Sequence, residues 1–224
     1  MMQTNREESH IVSRYKRLWP AWDKAAYDYK TSKGARLAQI IDETGGVPGI
    51  ALEVGVGPGG VASEVSRNGT RVVGIDLSPD ALMIARDYCK GKDVHLMRAS
   101  GFSLPFRSGS LDVVYASQVL HLFDRSGRLE LMKEAHRALK PGGRFLFDMK
   151  NIASHLVRYL GQTPARRQRS FPPRAELMGL LEDAGYRSIV RRPGVLPTVR
   201  WSSVPNLAIF RALAHTTFYV ALRP

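Results

Sequence analysis

From Ala51 to Gly60 the chain reads Ala-Leu-Glu-Val-Gly-Val-Gly-Pro-Gly-Gly, an apolar strand running into a glycine turn, and Arg71-Val72-Val73-Gly74-Ile75-Asp76 closes a second strand on an acid. Gly55, Gly57 and Gly60 satisfy the G-x-G-x-x-G spacing, in which a backbone without Cβ atoms approaches a pyrophosphate at a helix N-terminus. Glu53 argues against a pyrophosphate, because a carboxylate two residues before the first glycine repels phosphate and opposes the positive end of the helix dipole. The same carboxylate attracts a cation, and S-adenosylmethionine carries both an ammonium and a sulfonium. Asp76, at the tip of the next strand, is placed to accept hydrogen bonds from both ribose hydroxyls of such a cofactor. The alternative is a bare tight turn followed by a chance acid.

At these residues the chain resembles the class I S-adenosylmethionine-dependent methyltransferases, in particular the small-molecule branch that includes the ubiquinone and menaquinone enzymes. The likeness covers about residues 35–150 and rests on ALEVGVGPGG, VVGIDLSPDALMIAR, SLPFRSGSLDVVYASQVLHLF and LKPGGRFLFDMKN, in the family's order and spacing. The resemblance implies that Glu53, Gly55, Gly57 and Gly59 hold the methionine end of the cofactor, that Asp76 holds the ribose and that Leu77 lies against the adenine. It puts Ser100, Gly101 and Phe102 at the adenine edge, where family members commonly have an acid in place of Ser100. Ser117 and Gln118 then face the sulfonium, followed by Val119, Leu120 and His121.

Methyl transfer is an in-line displacement, for which a protein mainly aligns the acceptor and excludes water. The chemistry calls for no metal. An oxygen acceptor must lose its proton, and a neutral imidazole near pH 7 suits that task, so His121 is the first candidate for a catalytic base. His155 is the second, and Asp148, placed at the end of the fifth strand, is either structural or part of the acceptor site. A packed histidine is the alternative for both imidazoles. The exit of the fourth strand lacks the Asp/Asn-Pro-Pro-aromatic motif of enzymes that methylate exocyclic amines of bases, and Cys89 is misplaced for attack on a pyrimidine.

The chain has 224 residues, 44% of them hydrophobic, enough for one well-buried α/β domain with modest additions. Its first residues lack the basic-then-apolar build of a secretory signal, and no stretch approaches the roughly 18 apolar residues of a membrane span. A cytoplasmic protein, monomer or homodimer, is the expectation. The lone cysteine, Cys89, excludes an intrachain disulfide and reads as core.

The net charge of +13 is unevenly spread. Residues 1–33 hold 7 basic and 4 acidic side chains, residues 34–150 hold 15 and 13, and residues 151–224 hold 11 and 3. All 11 of the last are arginines, among them Arg166, Arg167, Arg169, Arg191, Arg192 and Arg200. Their planar forks suit a phosphate or carboxylate on the acceptor, and a solvated basic surface is the alternative.

Positioning the glycine turn and Asp76 requires alternating strands and helices. Strands are expected at about 49–54, 71–76, 93–98, 111–116 and 143–149, and an antiparallel pair at 186–190 and 217–222. Ser78-Pro79-Asp80 reads as an N-cap, first-turn proline and first-turn acid, opening a helix to about residue 89. A second helix spans 126–140, with Leu129, Leu131, Met132, Ala135 and Leu139 as its stripe and Pro141-Gly142-Gly143 as its stop, and a third spans 175–184. Tyr15, Leu18, Trp19, Trp22, Ala26 and Tyr29 suggest a helical flap over residues 1–34, ahead of a methyltransferase domain at 35–224 whose acceptor-site additions lie in 151–215.

The fold expected is α/β, a doubly wound Rossmann-like seven-stranded sheet of five parallel strands plus a terminal antiparallel pair, with helices on both faces. The function expected is transfer of a methyl group from S-adenosylmethionine, leaving S-adenosylhomocysteine, to a small metabolite or lipid-like acceptor. No specific nucleic-acid partner and no membrane span are expected. An RNA methyltransferase and a catalytically silent cofactor-binding protein are the alternatives.

Overall fold

A computed structural model describes residues 9, 12–13, 24–46, 48–150, 172–193 and 216–224. Seven strands form one sheet: β1 (Ile50–Val54), β2 (Arg71–Asp76), β3 (Val94–Arg98), β4 (Leu111–Ala116), β5 (Leu139–Lys150), β6 (Arg187–Pro193) and β7 (Thr216–Leu222). Their order is β3-β2-β1-β4-β5-β7-β6. The first five are parallel, and β7 is antiparallel to both β5 and β6. This is the expected Rossmann-like sheet.

Both faces are buried, which is why the central strands read as continuous apolar runs rather than alternating ones. On one face Leu52, Val54, Val114, Ala116, Phe145, Phe147 and Tyr219 pack with Leu131, Met132, Leu177 and Leu181. On the other, Ala51, Val113, Tyr115, Leu146, Phe218 and Val220 pack with Leu37, Ile40, Ile41, Val61 and Val65. The helices that cover these faces are α1 (Lys24–Glu43), α2 (Gly60–Val65), α3 (Pro79–Tyr88), α4 (Arg125–Ala138) and α5 (Arg174–Asp183). No described helix is long and apolar enough to cross a membrane.

The local signals act as physics predicts. Ser78 caps α3 by accepting the Ala81 N–H, with Pro79 opening the first turn. Asp124 caps α4 by accepting the Gly127 N–H. The strand limits need two adjustments: β6 runs on to Pro193 rather than ending near Val190, and β5 begins at Leu139 rather than near Gly143. α4 already ends at Ala138, and Leu139 takes extended angles, φ −67° and ψ 148°. Leu139 pairs with Leu111, and the register then shifts so that Val113 meets Arg144, which folds Pro141-Gly142-Gly143 into the strand as an irregularity. A backbone bond from Gly142 to the Arg223 carbonyl ties that irregularity to the end of the chain.

The chain winds from β1 outward through β2 to β3, then returns to the far side of β1 to lay down β4. The C-terminal ends of β1 and β4 therefore diverge into loops on opposite sides, leaving a crevice where doubly wound sheets bind ligands. The glycine turn after β1 and residues 117–122 after β4 both border it.

Candidate active site

The glycine turn is held from below by β2. Gly55 and Val56 both donate to the Ile75 carbonyl, at 2.8 and 2.9 Å. Asp76 then clamps the turn through its side chain: Oδ2 accepts the Gly57 N–H and Oδ1 accepts the Ser78 N–H, each at 2.9 Å. Asp76 thus has a structural task that the sequence reading did not assign.

Two of the glycines are required by close approach as well as by angle. Gly55 has φ +71°, and a Cβ there would stand 2.6 Å from Val119 Cγ2, in the loop after β4. Gly59 has φ +84°, and its Cβ would stand 2.7 Å from Cys89 Sγ. Cys89 is buried beneath the turn, with its thiol directed at the Gly59 carbonyl. Burial, aided by the Glu53 charge, pushes that thiol up to about 11, so it is an inert packing group, as its sequence context indicates. Gly57 also has a positive φ, 52°.

Glu53 is 1% exposed on the face covered by α1 and α2, and Tyr115 Oη donates to its Oε2 at 3.2 Å. Burial, reinforced by the Glu53 charge, raises the Tyr115 phenol well above its ordinary range, so the hydroxyl stays a donor. A buried carboxylate at the end of β1 and a second at the end of β2 make this edge attractive to a cationic nucleoside.

Leu77 is half-buried, and its carbonyl accepts a bond from Arg98 Nε at 3.2 Å. Ser100 turns its hydroxyl inward to accept the Phe102 N–H at 3.0 Å and forms a bridge with Ser103. It therefore organises the loop after β3. Gly101 lets the loop approach β1, since a Cβ would come within 2.7 Å of Val54 Cγ1. Phe102 packs edge to face on Phe123, with centroids 4.8 Å apart.

After β4, Ser117 is buried, and its hydroxyl has no hydrogen-bond partner among the described residues. Gln118 takes φ +59°, and its N–H donates to Asp148 Oδ1 at 2.8 Å. Leu120–Leu122 form a 3-10 turn that buries His121, and Arg128 Nε holds the Leu120 carbonyl at 3.1 Å. Asp148 follows Phe147, the residue paired with the last of β4, so it lies level with Ser117, and β5 runs on past it to Lys150. His155, Arg166, Arg167, Arg169 and Arg200 lie outside the described residues. Arg192 stands 3.8 Å from Glu43 at the end of α1.

Two residues escaped the sequence reading. Lys33 on α1 meets Asp148 Oδ2 at 2.5 Å, with both side chains at 1% exposure or less. Arg128 on α4 is 1% exposed and pairs with Glu176 of α5 at 2.9 Å. Both carry the same overlooked signal, a cation on an apolar helical stripe: Lys33, with Arg36 beside it, among Leu37, Ile40 and Ile41, and Arg128 among Leu131, Met132 and Ala135. A long cation on such a stripe is buried with its helix and must find a partner there.

Comparison with known proteins agrees with this geometry. Residues 52–147 match the family model described as a methyltransferase domain. The chain is 39% identical over 95 residues to a demethylmenaquinone methyltransferase of Tropheryma whipplei, covering 42% of this chain and 39% of that protein. It is 30% identical over 132 residues to an uncharacterized methyltransferase of Synechocystis, covering 58% of this chain and 55% of that one. The chain thus spans between about four-tenths and just over half of these relatives' lengths. Among solved structures it is similar to the magnesium protoporphyrin IX methyltransferase of Synechocystis with bound S-adenosylhomocysteine, at 16% identity and a TM-score of 0.72 over 99% of this chain and 100% of that one. A Thermotoga maritima protein described as a SAM-dependent methyltransferase, possible histamine N-methyltransferase, aligns at 18% identity and a TM-score of 0.70 over 96% of this chain and 99% of that one. The chain shares the fold of these methyltransferases.

Proposed function

We propose that the chain is an S-adenosylmethionine-dependent methyltransferase acting on a small-molecule acceptor, a metabolite or lipid-like compound. The observation that carries this reading is the pair of carboxylates, Glu53 and Asp76, on either side of the glycine turn at the crevice of the sheet. When bound, the cofactor supplies an electrophilic methyl carbon on a sulfonium. The chain supplies position and charge. Glu53 favours the cationic methionine end, the Gly55–Gly59 backbone shapes the cradle, and Asp76 receives the ribose while holding the cradle to β2. Leu77, Ser100, Gly101 and Phe102 border the base. Ser117 and Gln118 border the sulfonium, and His121 takes the proton of a hydroxyl acceptor. The arginines of residues 151–224 favour an acceptor bearing a phosphate or carboxylate.

Calorimetry tests the cofactor. S-adenosylmethionine should bind and NADH should not; the reverse would overturn the reading. Asp76→Ala should lose about 1.5–3 kcal/mol for each ribose hydrogen bond, because the acceptor is charged. A salt titration with bulk tRNA tests the acceptor class. Association that vanishes near physiological salt is expected, and tight saturable binding there would replace the small molecule with RNA.

A further inference from the structure

Asp148 faces two ways. Its Oδ2 meets the Lys33 ammonium of α1, and its Oδ1 accepts the Gln118 N–H. Both ions are withdrawn from water, and a well-packed apolar pair of similar volume often stabilises a core as much or more, so stability is a weak reason for this arrangement. The Oδ1 bond does something that an apolar pair would not. Gln118 sits at φ +59°, a region that a side chain other than glycine rarely adopts without outside support. The bond supplies that support where the backbone leaves β4. The far end of the same turn is held by Arg128 on the Leu120 carbonyl.

We propose that Asp148 is a positioning residue of the active site: its carboxylate, met by Lys33 of α1, fixes Gln118 and with it the turn from Ser117 to His121. α1 is then part of the site, 115 residues from its partner in sequence. The proposal rests on the reading of Ser117 and Gln118 as cofactor-facing.

The test compares two paired substitutions by S-adenosylhomocysteine calorimetry, each with its thermal midpoint. Lys33→Met with Asp148→Asn removes both charges but keeps an oxygen for the Gln118 N–H. Lys33→Met with Asp148→Leu removes that oxygen as well. The Leu pair should bind S-adenosylhomocysteine at least about tenfold more weakly than the Asn pair, at a midpoint within a few degrees of it. Equal affinities for the two pairs, or affinities that merely follow the midpoints, would reduce Lys33 and Asp148 to a structural pair. Lys140→Met with Asp112→Asn, which removes the ion pair between β5 and the start of β4, should leave affinity unchanged. Hydrogen exchange of the unsubstituted chain decides independently of any ligand or variant. The Gln118 amide should exchange as slowly as the amides of β4, and exchange at the rate of an exposed loop would overturn the anchor. Absence of any S-adenosylhomocysteine binding by the unsubstituted chain would instead refute the methyltransferase reading, with the Gln118 amide still judging the anchor.

Discussion

The two halves of the sheet hold their site residues by contacts of very different reach. In the half formed by β3, β2 and β1, Asp76 clamps backbone groups 19 and 2 residues away. In the half formed by β4, β5, β7 and β6, Asp148 reaches 30 residues back to Gln118 and 115 back to Lys33, and Arg128 reaches 48 forward to Glu176. The end of the crevice at the glycine turn, proposed to take the nucleoside, is built by a short stretch that carries its own clamps. The end at Ser117 to His121, proposed to face the acceptor, exists only once distant helices have docked. Gly55 and Val119 are where the two meet.

The largest effect expected lies in the acceptor half. His121→Ala should lower turnover of a hydroxyl acceptor by about 10²–10⁴ and leave cofactor affinity nearly unchanged, as measured by kinetics and calorimetry together. A loss of cofactor affinity without a loss of turnover would erase the division between the halves.

Gly55→Ala strikes their junction. The positive φ and the crowding against Val119 should together cost about 2–4 kcal/mol of stability, read by urea denaturation. Adding Val119→Ala should recover the crowding share and leave the backbone share. If the second substitution recovers nothing, the halves do not press on each other at this point.

The smallest effect lies at the N-terminus of α4. Asp124→Ala should cost about 1 kcal/mol through loss of the α4 cap. The Gly127 N–H, with Ser126 Oγ, holds the Asp124 carboxyl below its ordinary value. A depressed carboxyl contributes stability that is fully present above about pH 3.9 and is lost as pH falls through the folded value, so the two proteins should converge in acid urea titrations. A gap that persists at low pH would show that the hydrogen bond is not what the carboxylate contributes.

Legibility in the sequence follows the same division. The strand β2, the Ser78 cap and the Asp76 acid were readable because each is decided within a few residues by strand periodicity, by capping chemistry or by a turn. Ser100 was readable as a departure from its relatives, and its hydrogen bond to Phe102 was not, because that bond depends on the loop's path. The start of β5 was misjudged because Pro141-Gly142-Gly143 is a sound helix stop, and only pairing with β4 draws the residues before it into a strand.

By itself, then, the sequence determined the order of elements, the two-sided burial of the sheet and the acidic glycine cradle, since apolar runs, caps and glycines act on their immediate neighbours. Tertiary structure alone decided that Lys33 would join Asp148, that Arg128 would carry the turn of His121, and that Gln118 would hold a left-handed backbone. A buried charge takes whichever partner the packed helices bring within hydrogen-bond distance, and no local spacing specifies which one that is.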